Sequence, residues 1–194
     1  RALFETIALC NDAQIAGDGT VSGEPTEAAL LEAAQRAGID IAGLRERLPR
    51  AAELPFDSDR KRMSTLHADG EGLRVCVKGA PEALLERCVR SLGPHGEAGL
   101  DAAARAALDA EAERIAAQGM RVLAVAQGRQ AAQPEALEEA ESGLTLIGLV
   151  GLIDPPRAEA RAAVDECRAA GITPVMITGD HPATAAAIAR RLGI

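Results

Sequence analysis

Leu73-Arg74-Val75-Cys76-Val77-Lys78-Gly79-Ala80-Pro81-Glu82 is the stretch on which the fold turns. A short apolar alternation from Leu73 to Val77 reads as a strand, and Lys78 stands at its end. Gly79 lets the backbone turn and leaves room beside the lysine for a flat ligand, while Pro81 suits the first turn of a helix from Glu82 to Cys88. A cation at a strand end, facing a turn, either grips something anionic or aromatic or is merely solvated. The surrounding sequence has to choose between these.

Upstream, Met63–His67 is separated from Leu73–Val77 by the turn Ala68-Asp69-Gly70-Glu71-Gly72, which predicts a β-hairpin whose second strand delivers Lys78. Before it, Glu53–Ser64 mixes a strand with a dense charged bend, and Leu44–Leu48 reads as a helical turn. Pro25 at a first helical position and Glu27 in the first turn start a helix that runs to about Ala37, where Gly38 stops it. A turn at 16–20 joins two extended pieces, and residues 3–10 place apolar groups at helical spacing.

Downstream, Ser91–Gly99 reads as a polar loop, and Asp101 caps an Ala-rich helix that Gly119 closes, with Leu108 and Ile115 on one face. Met120–Ala126 is a strand carrying the single charge of Arg121; a polar link from Gly128 to Gly143 then leads to an apolar central strand, Leu144–Ile153. After the rigid break Asp154-Pro155-Pro156-Arg157 the pattern becomes a helix to Ala170, a strand Ile172–Ile177, Thr178-Gly179-Asp180 and a helix from about Pro182. The fold class predicted is α+β: an antiparallel sheet flanked by helices over 1–153, followed over 154–194 by part of a parallel α/β unit.

Among 194 residues, 47% are hydrophobic but only Phe4 and Phe56 are aromatic, so Ala, Leu, Ile and Val must build the core. A net charge of -8 argues against a broad nucleic-acid or anionic-membrane footprint, and any anion must be held locally. Cys10, Cys76, Cys88 and Cys167 form no C-x-x-C pair and have no clustered His, which indicates neither zinc nor a disulfide framework and fits a reducing, cytosolic setting. No run approaches the roughly 20 apolar residues of a membrane span, so a soluble piece is expected, and its abrupt ends suggest excision from a longer protein.

Six motifs occur in one order: Gly23-Glu24-Pro25-Thr26-Glu27-Ala28-Ala29-Leu30, Phe56-Asp57-Ser58-Asp59-Arg60-Lys61-Arg62-Met63-Ser64, Lys78-Gly79-Ala80-Pro81-Glu82, Gly119-Met120-Arg121-Val122-Leu123, Asp154-Pro155-Pro156-Arg157 and Met176-Ile177-Thr178-Gly179-Asp180. Together they resemble the nucleotide-binding domain of cation-transporting P-type ATPases, most like the calcium-pump group. The likeness continues into the haloacid-dehalogenase-like phosphorylation domain. It implies an N domain over 1–153 and the start of a P domain over 154–194, hinged at Asp154 and Arg157.

The resemblance implies ATP or ADP as ligand, with Phe56 stacking on adenine, Lys78, Gly79 and Ala80 beside it, Thr26 at the rim and Glu27 accepting from the exocyclic amine. Residue chemistry agrees, since adenine needs a π face and Phe56 is the one aromatic in mid-chain, with polar neighbours. Read alone, however, Phe56 could be a core residue and Glu27 a helix-dipole carboxylate. Lys61 and Arg121 are the candidates for phosphate oxygens, and Leu123 could cover base or sugar. Ser58 stands where some calcium pumps carry an arginine that touches the phosphates, so either affinity is lower or Arg60 substitutes.

Thr178, Gly179 and Asp180 are implied to support the phosphoryl site. The phosphorylated aspartate of a D-K-T-G-T segment and the magnesium-holding G-D-G-x-N-D segment do not occur in the chain. The piece alone is thus expected to bind ATP, with Mg2+ on the nucleotide, but not to form the aspartyl-phosphate. The implied parent is an ATP-hydrolysing translocase of calcium or another metal cation, its remaining partners being the rest of the phosphorylation domain, the actuator domain and transmembrane helices, with this domain on the cytoplasmic face. Two alternatives stay open: a free-standing haloacid-dehalogenase-type phosphatase with a cap, and a noncatalytic nucleotide-sensing module.

Overall fold

The computed structural model describes residues 1–153, 158–178 and 182–194. These residues form two compact units, one of Arg1–Ala107 with Leu123–Val150 and one of Leu108–Val122 with Gly151–Ile194.

In the first unit, α1 (Ala2–Leu9) is followed by the small antiparallel pair β1 (Gln14–Ile15) and β2 (Val21–Ser22), then by α2 (Pro25–Arg36) and α3 (Ile41–Arg47). Pro25 opens α2 as the sequence predicts, and the Glu24 side chain accepts from the Glu27 N–H to cap it. Seven strands make one sheet: β3 (Arg50–Asp57), β4 (Arg62–Ala68), β5 (Leu73–Gly79), β6 (Cys88–Gly93), β7 (Gly96–Gly99), β8 (Arg121–Gln130) and β9 (Leu144–Leu152), in the spatial order β3-β4-β5-β8-β9-β6-β7. The predicted hairpin is β4–β5, with Met63 opposite Lys78 and Arg62 opposite Gly79. Across the next boundary Lys78 faces Val125 and Gly79 faces Ala124.

Directly opposed residues share a face, so Met63, Lys78 and Val125 lie on one side and Arg62, Gly79 and Ala124 on the other. The first side meets α1: Arg74 pairs with Glu5 at 3.6 Å, and the Cys10 thiol donates to the Met63 carbonyl at 3.5 Å. On the second side a short 3-10 helix, Leu137–Glu141, brings the Glu141 carboxylate to Arg62 and Ser64. Leu66, Val75, Val77, Ala124 and Ala126 are fully buried in the middle of the sheet.

Several expectations need correction. Ser91–Gly99 is not a loop but most of the β6–β7 hairpin, whose first strand pairs parallel with β9, Cys88 against Leu144. That pairing also ends α4 early, at Pro81–Leu85, because the Arg87 carbonyl accepts from the Leu144 N–H at 3.0 Å and Cys88 is drawn into the sheet. The sheet is therefore mixed rather than wholly antiparallel. The link from Gly128 is also more ordered than predicted, since β8 continues to Gln130 and the 3-10 helix fills its far end.

The second unit contains α6 (Ala158–Ala169) and α7 (Pro182–Leu192), with the Arg161 guanidinium donating to the Arg191 carbonyl at 3.2 Å. The run 172–178, expected as a strand to Ile177, forms no strand, and Ile172, Val175 and Ile177 are exposed. Apolar β-branched residues give a segment strand propensity, but a strand exists only where its backbone finds a hydrogen-bonded neighbour. Among the described residues none pairs with this run.

His67, on β4, shows how tightly the first side is sealed. Its Nδ1 lies 2.9 Å from the Leu48 carbonyl, which can only accept, so Nδ1 carries the proton and Nε2 accepts from the Thr65 hydroxyl at 2.9 Å. Burial pushes its pKa down to about 4, with help from Arg50, Arg74 and Arg45 and against the hydrogen bond to Leu48. An unfolded histidine protonates near 6.5, so the native state binds fewer protons between the two values and its stability falls as pH drops through that window, by about 3 kcal/mol in all. Urea midpoints from pH 7.5 to 4.5 should show this decline in the wild type and a flatter profile in His67→Gln. Parallel profiles would contradict it.

Candidate functional site

At the end of β5 the structure brings two of the predicted residues, Lys78 and Glu27, together. Lys78 is only 8% exposed, because the chain leaving α1 folds over it. Its ammonium donates to the Cys10 carbonyl at 2.7 Å and to Glu27 Oε1, in a close ion pair. Glu27 is held from behind as well: its Oε2 accepts from the Asp12 N–H at 3.1 Å, and its carbonyl accepts from Asn11 Nδ2 at 2.9 Å. Two residues 51 positions apart thus form one unit, positioned by the segment Cys10–Asp12.

That segment is fixed by two arginines. Arg45 donates to the carbonyls of Ala8, Asn11 and Ala13 at 3.1–3.4 Å, and Arg50 donates to those of Leu9 and Asn11 at 3.3 and 2.8 Å. The last carbonyls of a helix lack intrahelical donors and attract cations, which explains why guanidinium groups gather at the end of α1. Arg50 also pairs with Asp12 at 2.6 Å and Glu53 at 2.5 Å. A cavity of about 220 Å3 opens here among Leu9, Asn11, Asp12, Arg45, Arg50 and His67, and none of the predicted nucleotide contacts lines it.

Gly79 owes its identity to crowding. A Cβ there would stand 2.5 Å from the Arg62 Cβ and 2.6 Å from the Lys61 carbonyl oxygen. The space beside the glycine is thus filled by the neighbouring strand. Ala80, the next residue, donates its N–H to that same Lys61 carbonyl at 2.9 Å and stands as N-cap of α4.

Phe56 lies at the end of β3 and the turn into β4 carries Ser58 and Lys61, all three exposed. Phe56 is 66% exposed, so it is not a core residue. Asp57 Oδ1 accepts from the N–H groups of Asp59 and Arg60 at 3.0 and 2.8 Å, and these bonds, Arg60's first, hold its carboxyl below the usual range. Lys61 takes a left-handed backbone, φ 53°, uncommon for a residue with a side chain. Its ammonium meets Glu82 at 3.1 Å in a pair exposed on both sides.

Behind this turn lies a group that local reading overlooked. The Glu141 side chain is 0% exposed and accepts from Ser64 Oγ at 2.5 Å, Arg60 Nη1 at 2.5 Å and Arg62 Nε at 2.6 Å. Burial raises the pKa of a carboxyl, but these three donors outweigh it and hold Glu141 below its ordinary value. In sequence Glu141 is one of several acids in a polar link, with nothing to set it apart from Glu138 or Glu139.

Of the other predicted residues, Leu123 is half-buried at the start of β8 within the first unit, with Thr26 half-buried on α2. Arg121 is exposed and belongs to the second unit, as does exposed Thr178. Gly179, Asp180, Asp154 and Arg157 lie outside the described residues.

Comparison with known proteins places this geometry. A family model described as P-type ATPase, cytoplasmic domain N, matches residues 1–159. The chain is 46% identical over 191 residues to the cation-transporting ATPase pma1 of Synechocystis, covering 96% of this chain and 21% of that protein. It is 40% identical over 195 residues to the calcium-transporting ATPase lmo0841 of Listeria monocytogenes, covering 100% and 22%. Against the sodium/potassium exporting P-type ATPase cta3 of Schizosaccharomyces pombe it is 42% identical over 201 residues, covering 99% and 19%. The chain thus spans about a fifth of the length of these relatives. A mixed sheet flanked by helices, with the family match running from its first residue through the whole sheet, makes this chain a member of the P-type ATPase cytoplasmic N domain family.

Proposed function

We propose that this chain binds ATP and, in a parent cation pump, presents its γ-phosphate to a catalytic aspartate outside these residues. The observation that carries the reading is Phe56, an aromatic left 66% exposed at a strand end in a chain with only two. Such a residue is costly to leave in water and suited to stacking on a base. Lys78, Gly79 and Ala80 stand at the end of β5, which is separated from Phe56 on β3 by the single strand β4. Glu27 retains acceptor capacity on oxygens that also hold Lys78 and Asp12, and so can take the adenine amino group.

Lys61 suits the phosphates because its exposed pair with Glu82 is worth little and is easily exchanged for a polyanion. Leu123, in the same unit as Phe56 and Lys78, is assigned to the base or sugar, and Arg121 is assigned to the phosphates by the family resemblance alone. Mg2+ would arrive on the phosphates; among the described residues no cluster of three or more His, Cys, Asp or Glu forms a place for it. The transported ion is calcium or another metal cation, and the partners are the pump's remaining domains. Residues 1–153 serve as the nucleotide-binding domain and 154–194 as the beginning of the phosphorylation domain, with Asp154 and Arg157 as hinge and Thr178, Gly179 and Asp180 at the phosphoryl site.

The test is a titration of isotope-labelled chain with ATP. Shifts should centre on Phe56 and Lys78, and Phe56→Ala should weaken binding about tenfold, within the ~1–3 kcal/mol that base stacking contributes. Shifts elsewhere, or an unaltered affinity in the variant, would reject the reading.

A further inference from the structure

We infer that Glu141 is a positioning residue for nucleotide binding: through Arg60 and Arg62 it holds the end of β3 that carries Phe56 and the turn that carries Lys61. The inference rests on the ATP reading given above and identifies what keeps its contact surface in shape.

The chain of bonds is continuous. Glu141 Oε1 takes Arg60 Nη1 at 2.5 Å, and the other terminal nitrogen of the same guanidinium donates to the Pro55 carbonyl at 2.7 Å. The Arg60 N–H donates to the Asp57 carboxylate at 2.8 Å. Phe56 therefore sits between two residues, Pro55 and Asp57, that are both tied to Arg60. On the far side of the turn, Glu141 Oε2 takes Arg62 Nε at 2.6 Å, and Arg62 Nη1 donates to the Arg60 carbonyl at 2.9 Å. Lys61, with its left-handed backbone, is thus clamped between two arginines that share one carboxylate.

A charged turn with an aromatic at its edge would otherwise sample many conformations, and a ligand would have to order it on binding. One buried carboxylate with three donors removes that freedom beforehand. The distance in sequence, 79 to 81 residues between Glu141 and the arginines, means that the 3-10 helix has no evident reason to carry a buried acid other than this turn and Ser64.

The experiment compares Glu141→Gln, Arg60→Met and Ser64→Ala in the full 194-residue chain by ATP titration, urea midpoint and amide hydrogen exchange without nucleotide. Glu141→Gln and Arg60→Met should each weaken ATP binding about tenfold and speed exchange at residues 56–61 while β5 and β8 stay protected. Ser64→Ala removes a bond to Glu141 without touching the turn, so it should lower the midpoint yet leave affinity and turn exchange alone. If Glu141→Gln does not fold, the nucleotide-free turn exchange of Arg60→Met, which leaves Glu141 with Arg62 and Ser64, decides the matter, since Arg60 is also a candidate for the phosphates and its affinity alone does not. Affinity that follows the midpoint equally in all three variants, or turn exchange unchanged in Arg60→Met, overturns the inference. If turn exchange responds as stated while the wild type shows no ATP binding, the nucleotide reading fails and the clamp stands as a property of the turn.

Discussion

Lys78→Ala is expected to lower the folding stability of this chain by about 3 kcal/mol, the cost of removing one member of a buried ion pair, and also to weaken ATP binding more than tenfold. The first loss arises because Glu27 and the Cys10 carbonyl are left without their shared donor in a place that water reaches poorly. On the proposed reading the second arises because the same ammonium borders the base. Sequence alone expects Lys78→Ala to weaken binding without unfolding the domain; the pairing with α1 and α2 adds the structural cost. A double-mutant cycle with Glu27→Ala separates the two. If the pair is what matters to folding, the double variant should cost less than the two single variants together. Strict additivity of the urea midpoints would refute the structural half, and unchanged ATP affinity in folded Lys78→Ala would refute the functional half.

Gly79→Ala should be the most damaging single methyl group in the sheet. The new Cβ would lie 2.5 Å from the Arg62 Cβ, 2.6 Å from the Lys61 carbonyl oxygen and 2.9 Å from the Arg62 Cα, atoms that belong to or adjoin backbone and cannot swing aside. Relief requires β4 and β5 to part where Ala80 donates to Lys61. Overpacking of this kind costs about 3 kcal/mol, at the upper end of its usual range. Because the residues displaced are Lys61 and Arg62, ATP affinity should fall as well. Thermal unfolding and ATP titration check both, and a variant of wild-type stability would show that the strands separate freely at this point.

Much of the fold was legible because its signals are local. Pro25 and Gly38 bracket α2, Gly70 and Gly72 mark the β4–β5 turn, and Asp101 caps α5 (Ala102–Ala116) through its bond to the Ala104 N–H. The β6–β7 hairpin escaped because Arg90, Ser91, Glu97 and the glycines around them give no apolar alternation; its place depends on pairing with β9. For 172–178 the error ran the other way, a strand-like composition without a paired neighbour.

At the candidate site, the types of residue could be read but not their mutual arrangement. Phe56 stood out by rarity, and the structure shows it exposed rather than in the core. The burial of Lys78 depends on α1, 68 residues away at Cys10, and no spacing rule carries that information. Gly79 was read as an open place for a ligand, whereas its hydrogen faces Arg62. Glu141 was invisible because its three donors, Arg60, Arg62 and Ser64, lie 77 to 81 residues earlier in the chain.

The parallel match of β6 to β9 also has a consequence in time. Cys88 waits for Leu144, and counted from the end of the hairpin at Gly99, at a synthesis rate of roughly 5–20 residues per second, the β6–β7 hairpin exists for about 2–9 seconds before its neighbour is made. Over that interval Val89 and Leu92, which stay partly exposed even in the finished chain, sit on an unpaired edge. The vulnerable moment in this protein's life is therefore its own translation, and slower elongation between codons 99 and 144 would lengthen it.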